Sequence, residues 1–192
     1  MQKSDFVQTA VVSVAIVLFL LPTLILTGLY YKIPFMPVSL FITIPVVSII
    51  GMVIANMLGK KITILWQFAK FALVGVLNTA IDFGVLNSLI IMTKIASGIG
   101  IIPLNIISFS AATANSYYWN KKWVFGVNKS SFIVFIAVTL IGLGMNTGVV
   151  YVLTTFVPPM FVSSEALWAN FAKVLATVLS LIWNFVGYRL VV

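Results

Sequence analysis

Few residues in this chain could do chemistry, and the absent types narrow the field first. The sequence has no Cys and no His, which removes thiolate nucleophiles, disulfides and the usual zinc sites. Its acids are Asp5, Asp82 and Glu165. Of these only Asp82 falls well inside an apolar stretch, so a two-carboxylate mechanism has no pair to work with. There is no G-x-x-x-x-G-K-[ST] stretch to cradle a nucleotide. Neither a cofactor nor a metal is expected. What remains is a set of amides, hydroxyls and small residues at spacings of three and four, with a lysine among them. Asn105, Ser108, Ala112, Asn115 and Trp119 form one series. Asn170, Lys173, Thr177, Ser180, Asn184 and Gly187 form another. Gly75, Asn78 and Asp82, and then Thr139, Gly142 and Asn146, make two shorter ones. Residues so spaced share one face of a helix. Small residues and amides also allow close helix packing. A charge near the bilayer centre is a different matter, because it costs about 2.5–3.5 kcal/mol on insertion scales. Lys173 and Asp82 therefore mark the series as candidates for holding a polar or charged ligand.

The elements that position these faces follow from composition. Of the 192 residues, 62% are hydrophobic and only 7% charged, too apolar a balance for a soluble domain of this size. Stretches such as "VVSVAIVLFLLPTLIL" are long and do not alternate, which excludes a barrel and indicates membrane helices. Six spans are expected, over residues 7–30, 36–58, 68–92, 104–120, 132–156 and 168–188, broken by "YYKIPFMP", "GKKIT", "TKIASGIGIIP", "NKKWVFGVNKS" and "VPPMFVSSE". The fold class is an all-α integral membrane protein, a bundle of six transmembrane helices. Pro22 and Pro45 are expected to kink the first two.

The basic residues set the orientation. With the N-terminus inside, Lys3, Lys60, Lys61, Lys121, Lys122 and Lys129 lie on the cytoplasmic side, with Lys70 and Arg189 near the inner ends of spans three and six. Lys32, Lys94 and Lys173 lie toward the outside. The positive-inside rule then favours both termini in the cytoplasm, as an even number of spans requires. Lys121-Lys122 serves as such a signal without any further role, and Trp119, Trp123 and Phe125 fit an interfacial aromatic belt. The formal charge of +8 is read as orientation and attraction to anionic headgroups, not as a nucleic-acid interface.

Spans one and two carry no charge at their centres, and their polar residues make no even stripe. They read as an added helical pair, residues 1–61, ahead of a four-helix domain, residues 62–192. The later part contains an internal echo. The pattern A-T-x-x-S-x-x-W-N occurs at 112–120 and again at 176–184, and Asn-Thr occurs as Asn78-Thr79 and Asn146-Thr147. A helix pair repeated once would give this, and transporters often place sites at repeat interfaces.

The stretches "FAKFALVGVLNTAIDFGVLN", "ATANSYYWNKKWVF" and "NFVGYRLVV" resemble the GtrA-like family of small four-span membrane proteins. The pattern is a basic, Phe-rich start followed by Gly-x-x-Asn-Thr-x-x-Asp, then a second helix ending in Asn, two basic residues, an aromatic, Val and Phe. The copy at the end of the fourth helix keeps Asn184 and Arg189 but ends in Val191-Val192 without the Phe. The likeness covers about two thirds of the chain, leaving the first 60 residues outside it. It implies a GtrA-like unit preceded by two extra helices. It also implies a role in cell-surface polysaccharide or teichoic acid glycosylation. A polyprenyl-phosphate-linked sugar would be moved across the bacterial cytoplasmic membrane for a membrane glycosyltransferase to use outside.

The chemistry of such a lipid suits the residues. Its tail can stay in lipid, but a phosphodiester and a sugar must cross about 30 Å of hydrocarbon. Lys70, Lys173, Arg189, Lys121 and Lys122 are the candidate phosphate ligands; an Arg can bind phosphate bidentately. Asn78, Asp82, Asn115, Asn120, Asn146, Ser180 and Asn184 are the candidates for the sugar and its groove. With a rise of about 1.5 Å per residue, Asp82 lies about 4–5 Å and Lys173 about 7–8 Å outward of the midplane. They are expected to pair when the site is empty, with phosphate competing for the lysine. Three rival readings remain: a proton-coupled multidrug exporter built on Asp82, an enzyme, and a non-transporting subunit that stabilises a glycosyltransferase. Lys173 argues against the first, and the isolated Glu165 against the second. Spans one and two offer a surface for such a partner or for a second copy of the chain.

Overall fold

The computed structural model describes the backbone of residues 1–32, 35–60, 62–124 and 129–191; within these, the side chains of 63–64, 129–135 and 184–191 are not described. Asn184 and Arg189, expected in the site, and Lys61, Phe125 and Lys129 thus lie outside the described side chains.

The described residues form helices and no strands: α1 (Lys3–Leu26), α2 (Leu29–Lys32), α3 (Met36–Gly59), α4 (Thr63–Thr93), α5 (Ile101–Trp119), a π-helical turn (Asn120–Val124), α6 (Lys129–Phe156) and α7 (Glu165–Val191). α1 and α3 run on past Pro22 and Pro45. The first expected span ends early, at Leu26. Gly28 follows with φ +74, a left-handed conformation that glycine adopts without a Cβ penalty, and α2 begins a separate short turn. Among the described residues five helices are long and apolar enough to cross a membrane: Lys3–Leu26, Met36–Gly59, Leu65–Thr93, Ile136–Phe156 and Glu165–Trp183. The fourth expected span, residues 104–120, is present as α5, but it is not one of these five. Its Asn105, Ser108, Ser110, Thr113, Asn115 and Ser116 lower its hydropathy.

Two compact units divide the chain, and the division passes through α4 and α5. The first takes residues 1–84 and 114–126. In it α1 packs on α3, and α1 buries the stripe Asp5, Thr9, Val12, Ser13, Ile16 and Val17, spaced for one helix face. The hydroxyls on that stripe bond within the helix: Thr9 donates to the Asp5 carbonyl and Ser13 to the Thr9 carbonyl, both at 2.8 Å. Gly84 of α4 lies so close to α1 that a Cβ there would run into the Phe19 backbone. The second unit takes residues 85–113 and 127–192, with α6 packed on α7. The small residues Ala169, Ala172 and Ala176 are fully buried on α7 and allow that close approach.

Candidate functional site

Lys173 is the largest fully buried side chain described, with 0% of its surface exposed. α7 carries it into the second unit on the face that also holds Asn170 and Ser180, all three buried. Its ammonium donates to the side-chain oxygens of Asn105 at 2.7 Å and Asn146 at 3.1 Å, with the Ser108 hydroxyl at 3.5 Å. The Phe109 ring lies 6.0 Å away. The amides then bond each other. Asn105 donates to the Asn146 oxygen and to the Thr147 hydroxyl, both at 3.0 Å. Asn146 donates to Ser180 at 3.4 Å. One turn away, the buried Thr177 hydroxyl has no hydrogen-bond partner among the described residues. The buried ammonium thus draws on side-chain oxygens from both α5 and α6.

The structure thus brings together Lys173, Asn146 and Ser180 from the expected set. It adds Asn105 and Ser108, which lay on the expected face of α5 but were not assigned to the ligand. Their spacing with Ala112 and Asn115 was the signal. Nearby, Asn87 and Asn170 exchange two amide hydrogen bonds, at 2.8 and 2.7 Å.

The first unit gathers a different set. Asn115 donates to the Asn78 oxygen at 2.6 Å. Both are half-buried, whereas Asp82, one turn beyond Asn78 on α4, is buried. Lys70 donates to the carbonyl of Trp123 at 3.0 Å and lies 5.3 Å from the centroid of the Trp66 ring. The indole of Trp123 in turn donates to Asp5 at 3.0 Å, so this residue stands between the lysine and the acid. The second Asp5 oxygen accepts from the Gln2 backbone at 3.1 Å. Nothing in the sequence signalled the Asp5–Trp123 contact, which joins residues 118 apart in the chain.

Lys121 and Lys122 belong to the π-helical turn, and both are exposed. Each reaches back four residues to a tyrosine: Lys121 to the Tyr117 hydroxyl and Lys122 to that of Tyr118, both at 3.4 Å. Lys122 also sits over the Tyr118 ring at 4.6 Å. Asn120 donates to Ser116 at 3.1 Å, while its buried side-chain oxygen has no partner among the described residues. A π turn leaves backbone and side chains out of helical register and is frequent at functional sites. Here it turns Trp123 and Val124 inward while the two lysines stay outside.

Residues 70–192 match the family model described as GtrA/DPMS, transmembrane domain. The chain is also similar to the uncharacterized membrane protein YngA of Bacillus subtilis (strain 168). The two are 30% identical over 125 residues, which span 63% of this chain and 75% of that protein. No solved structure matches. The family match begins at Lys70, so α1 and α3 lie ahead of it.

Proposed function

The chain belongs to the GtrA/DPMS transmembrane family, and from that membership we propose that it translocates a polyprenyl-phosphate-linked sugar across the cytoplasmic membrane of a bacterium. The observation that carries this reading is the fully buried Lys173 among Asn105, Asn146 and Ser108. A charge held in hydrocarbon is costly unless it is paired and hydrogen-bonded. A phosphodiester offers the same ammonium a charge-assisted hydrogen bond, about twice as strong as a neutral one. The amide and hydroxyl groups around it are the types that bind sugar hydroxyls. The cluster therefore suits a head that is both anionic and hydroxylated, while the prenyl tail stays in lipid. In this reading both termini face the cytoplasm, no cofactor is used, and movement runs downhill toward glycosyltransferases that consume the sugar outside, or is coupled to protons at Asp82.

The test is transbilayer movement of a short-chain polyprenyl-phosphate hexose in vesicles containing only this protein. The fraction of label reached by a membrane-impermeant reagent is followed with time. Rapid gain of access over protein-free vesicles is the expected result. No gain, in protein shown to be folded, would replace translocation with the role of a non-transporting subunit that stabilises a glycosyltransferase.

A further inference from the structure

The added helices build a second polar feature. In the first unit a cavity of about 370 Å³ is lined by Met1, Gln2, Asp5, Asn56, Trp66 and Lys70. Its walls come from α1, α3 and the start of α4, so every lining residue except Lys70 precedes the family match. Three observations give it chemistry. Lys70 is only half-buried, and among the described residues its single hydrogen-bond partner is the Trp123 carbonyl; an ammonium has three donors, so two remain. Asn56 is half-buried on α3 and its amide makes no hydrogen bond among the described residues. Asp5 uses one contact on each oxygen, Trp123 at 3.0 Å and Gln2 at 3.1 Å, and each carboxylate oxygen can accept a second.

We propose that this cavity is a binding site for a phosphate-linked sugar, with the phosphate at Lys70 and the sugar hydroxyls toward Asn56, Gln2 and Asp5. The anion follows from the free donors of Lys70. The direction follows from Asp5, whose charge repels phosphate but accepts from hydroxyls. The Trp66 indole supplies an apolar face beside them, suited to the C–H face of a pyranose. Trp123 separates the cation from the acid: its carbonyl holds Lys70 and its indole holds Asp5. The cation is thus kept available instead of being neutralised in an ion pair. The choice of a sugar over another hydroxylated group rests on the translocation reading; the phosphate does not. α1 and α3 then serve to complete a receiving site for the head beside Lys70.

The experiment is calorimetric titration of the purified full chain in micelles with hexose 1-phosphate, inorganic phosphate and a methyl hexoside. Hexose 1-phosphate is expected to bind, inorganic phosphate more weakly, and the methyl hexoside not at all. Lys70→Gln should weaken hexose 1-phosphate by about tenfold or more, the value of a hydrogen bond to a charged group, and Asn56→Leu by about fivefold, the value of a neutral one, with thermal melting retained. Thr43→Val, on α3 but outside the cavity lining, should leave this binding unchanged. Absence of binding to the wild-type chain overturns the proposal. So does wild-type affinity in both Lys70→Gln and Asn56→Leu. The same head on a short prenyl chain separates two sources: tighter binding assigns the site to a membrane lipid, equal binding to a soluble sugar phosphate. Translocation is read independently. Binding here without flipping removes the carrier reading and leaves this site, and flipping without binding here removes this site alone.

Discussion

The ammonium of Lys173 on α7 stands 2.7 Å from the side-chain oxygen of Asn105 on α5, and that same asparagine donates to Asn146 of α6. One amide therefore ties the cation to two further helices. Asn105 and Asn146 would still hold one another if the lysine charge were removed, because their mutual hydrogen bond at 3.0 Å does not involve it. Support and charge are separable in this cluster, which makes the lysine testable.

Lys173→Met keeps the length and the apolar stem of the side chain but removes the charge. The variant is expected to fold, with a modest fall in melting temperature, since two amide oxygens lose a donor at about 1–3 kcal/mol for a buried unsatisfied group. Translocation should drop by tenfold or more, the value of a lost charged hydrogen bond of about 1.5–3 kcal/mol. Initial rates in vesicles at matched protein density provide the measurement. A full rate in a stably inserted variant would show that the lysine only fixes helix packing.

Gly84 and Gly75 sit on the same helix and should respond oppositely to alanine. A Cβ at Gly84 would meet the Phe19 backbone, with its carbonyl carbon at 2.9 Å and its Cα at 3.1 Å, and a backbone cannot step aside as a flexible side chain can. Gly84→Ala should therefore force α1 away and cost about 1–3 kcal/mol, as overpacking does. A Cβ at Gly75 meets nothing within 4 Å. Gly75→Ala should be neutral or stabilising by up to about 1 kcal/mol through the entropy that glycine loses in a helix. Unfolding in mixed micelles measures both. Equal stability of the two variants would mean that α1 does not approach α4 this closely.

The polar faces were legible because helical spacing is a property of sequence. Asn105 and Ser108 of one series and Asn170, Lys173 and Ser180 of the other do line buried faces, and Asn115 is half-buried against Asn78. The Asn-Thr echo is also mirrored in contacts. Asn78 accepts from Asn115 in the first unit, and Asn146 donates to Ser180 in the second. Asn115 and Ser180 occupy adjacent positions of the repeated A-T-x-x-S-x-x-W-N pattern. What the face pattern hid has a geometric cause. Asn87 is nine residues from Asn78, and at 3.6 residues per turn it points about 180° away; it therefore belongs to no series with Asn78 and Asp82. The Asp5–Trp123 bond joins a helix start to a π turn, and neither end has a periodic signature. The expected six spans met five sufficiently apolar helices because the amides that give α5 its contacts are the residues that lower its hydropathy.

Asn87 and Asn170 make a direct test of coupling inside the second unit. Each amide donates to the other's oxygen, and Asn170 also donates to the Ala166 carbonyl at 2.9 Å. Removing either side chain alone, as Asn87→Leu or Asn170→Leu, leaves a buried amide half satisfied. The double substitution should cost less than the sum of the two. Interhelical hydrogen bonds in membranes are worth about 0.6 kcal/mol on average and up to about 1.7, and a reciprocal pair should fall in the upper half of that range. A double-mutant cycle on unfolding free energies reads the coupling. Strict additivity would show that the two asparagines do not hold α4 to α7.

Lys121-Lys122 is the most conspicuous basic motif in the chain, and the structure separates its two roles. Both side chains are exposed and fold back on Tyr117 and Tyr118, away from the inward-turned Trp123. An ammonium resting on a tyrosine at a helix end suits a side chain that stays at the headgroup level while its stem lies along the apolar surface. Lysines so placed attract an anionic leaflet by about 1 kcal/mol each near the surface, and salt screens this within a Debye length. The double variant Lys121→Gln/Lys122→Gln should therefore fold and keep its translocation rate in neutral vesicles. In vesicles rich in anionic lipid the wild-type chain should lose rate as salt rises from 50 to 500 mM (about a threefold fall in Debye length), whereas the variant should be flat. Initial rates across that salt series are the measurement. A large loss in neutral vesicles would instead make the two lysines direct ligands of the transported phosphate, in agreement with their expected place among the phosphate-binding residues.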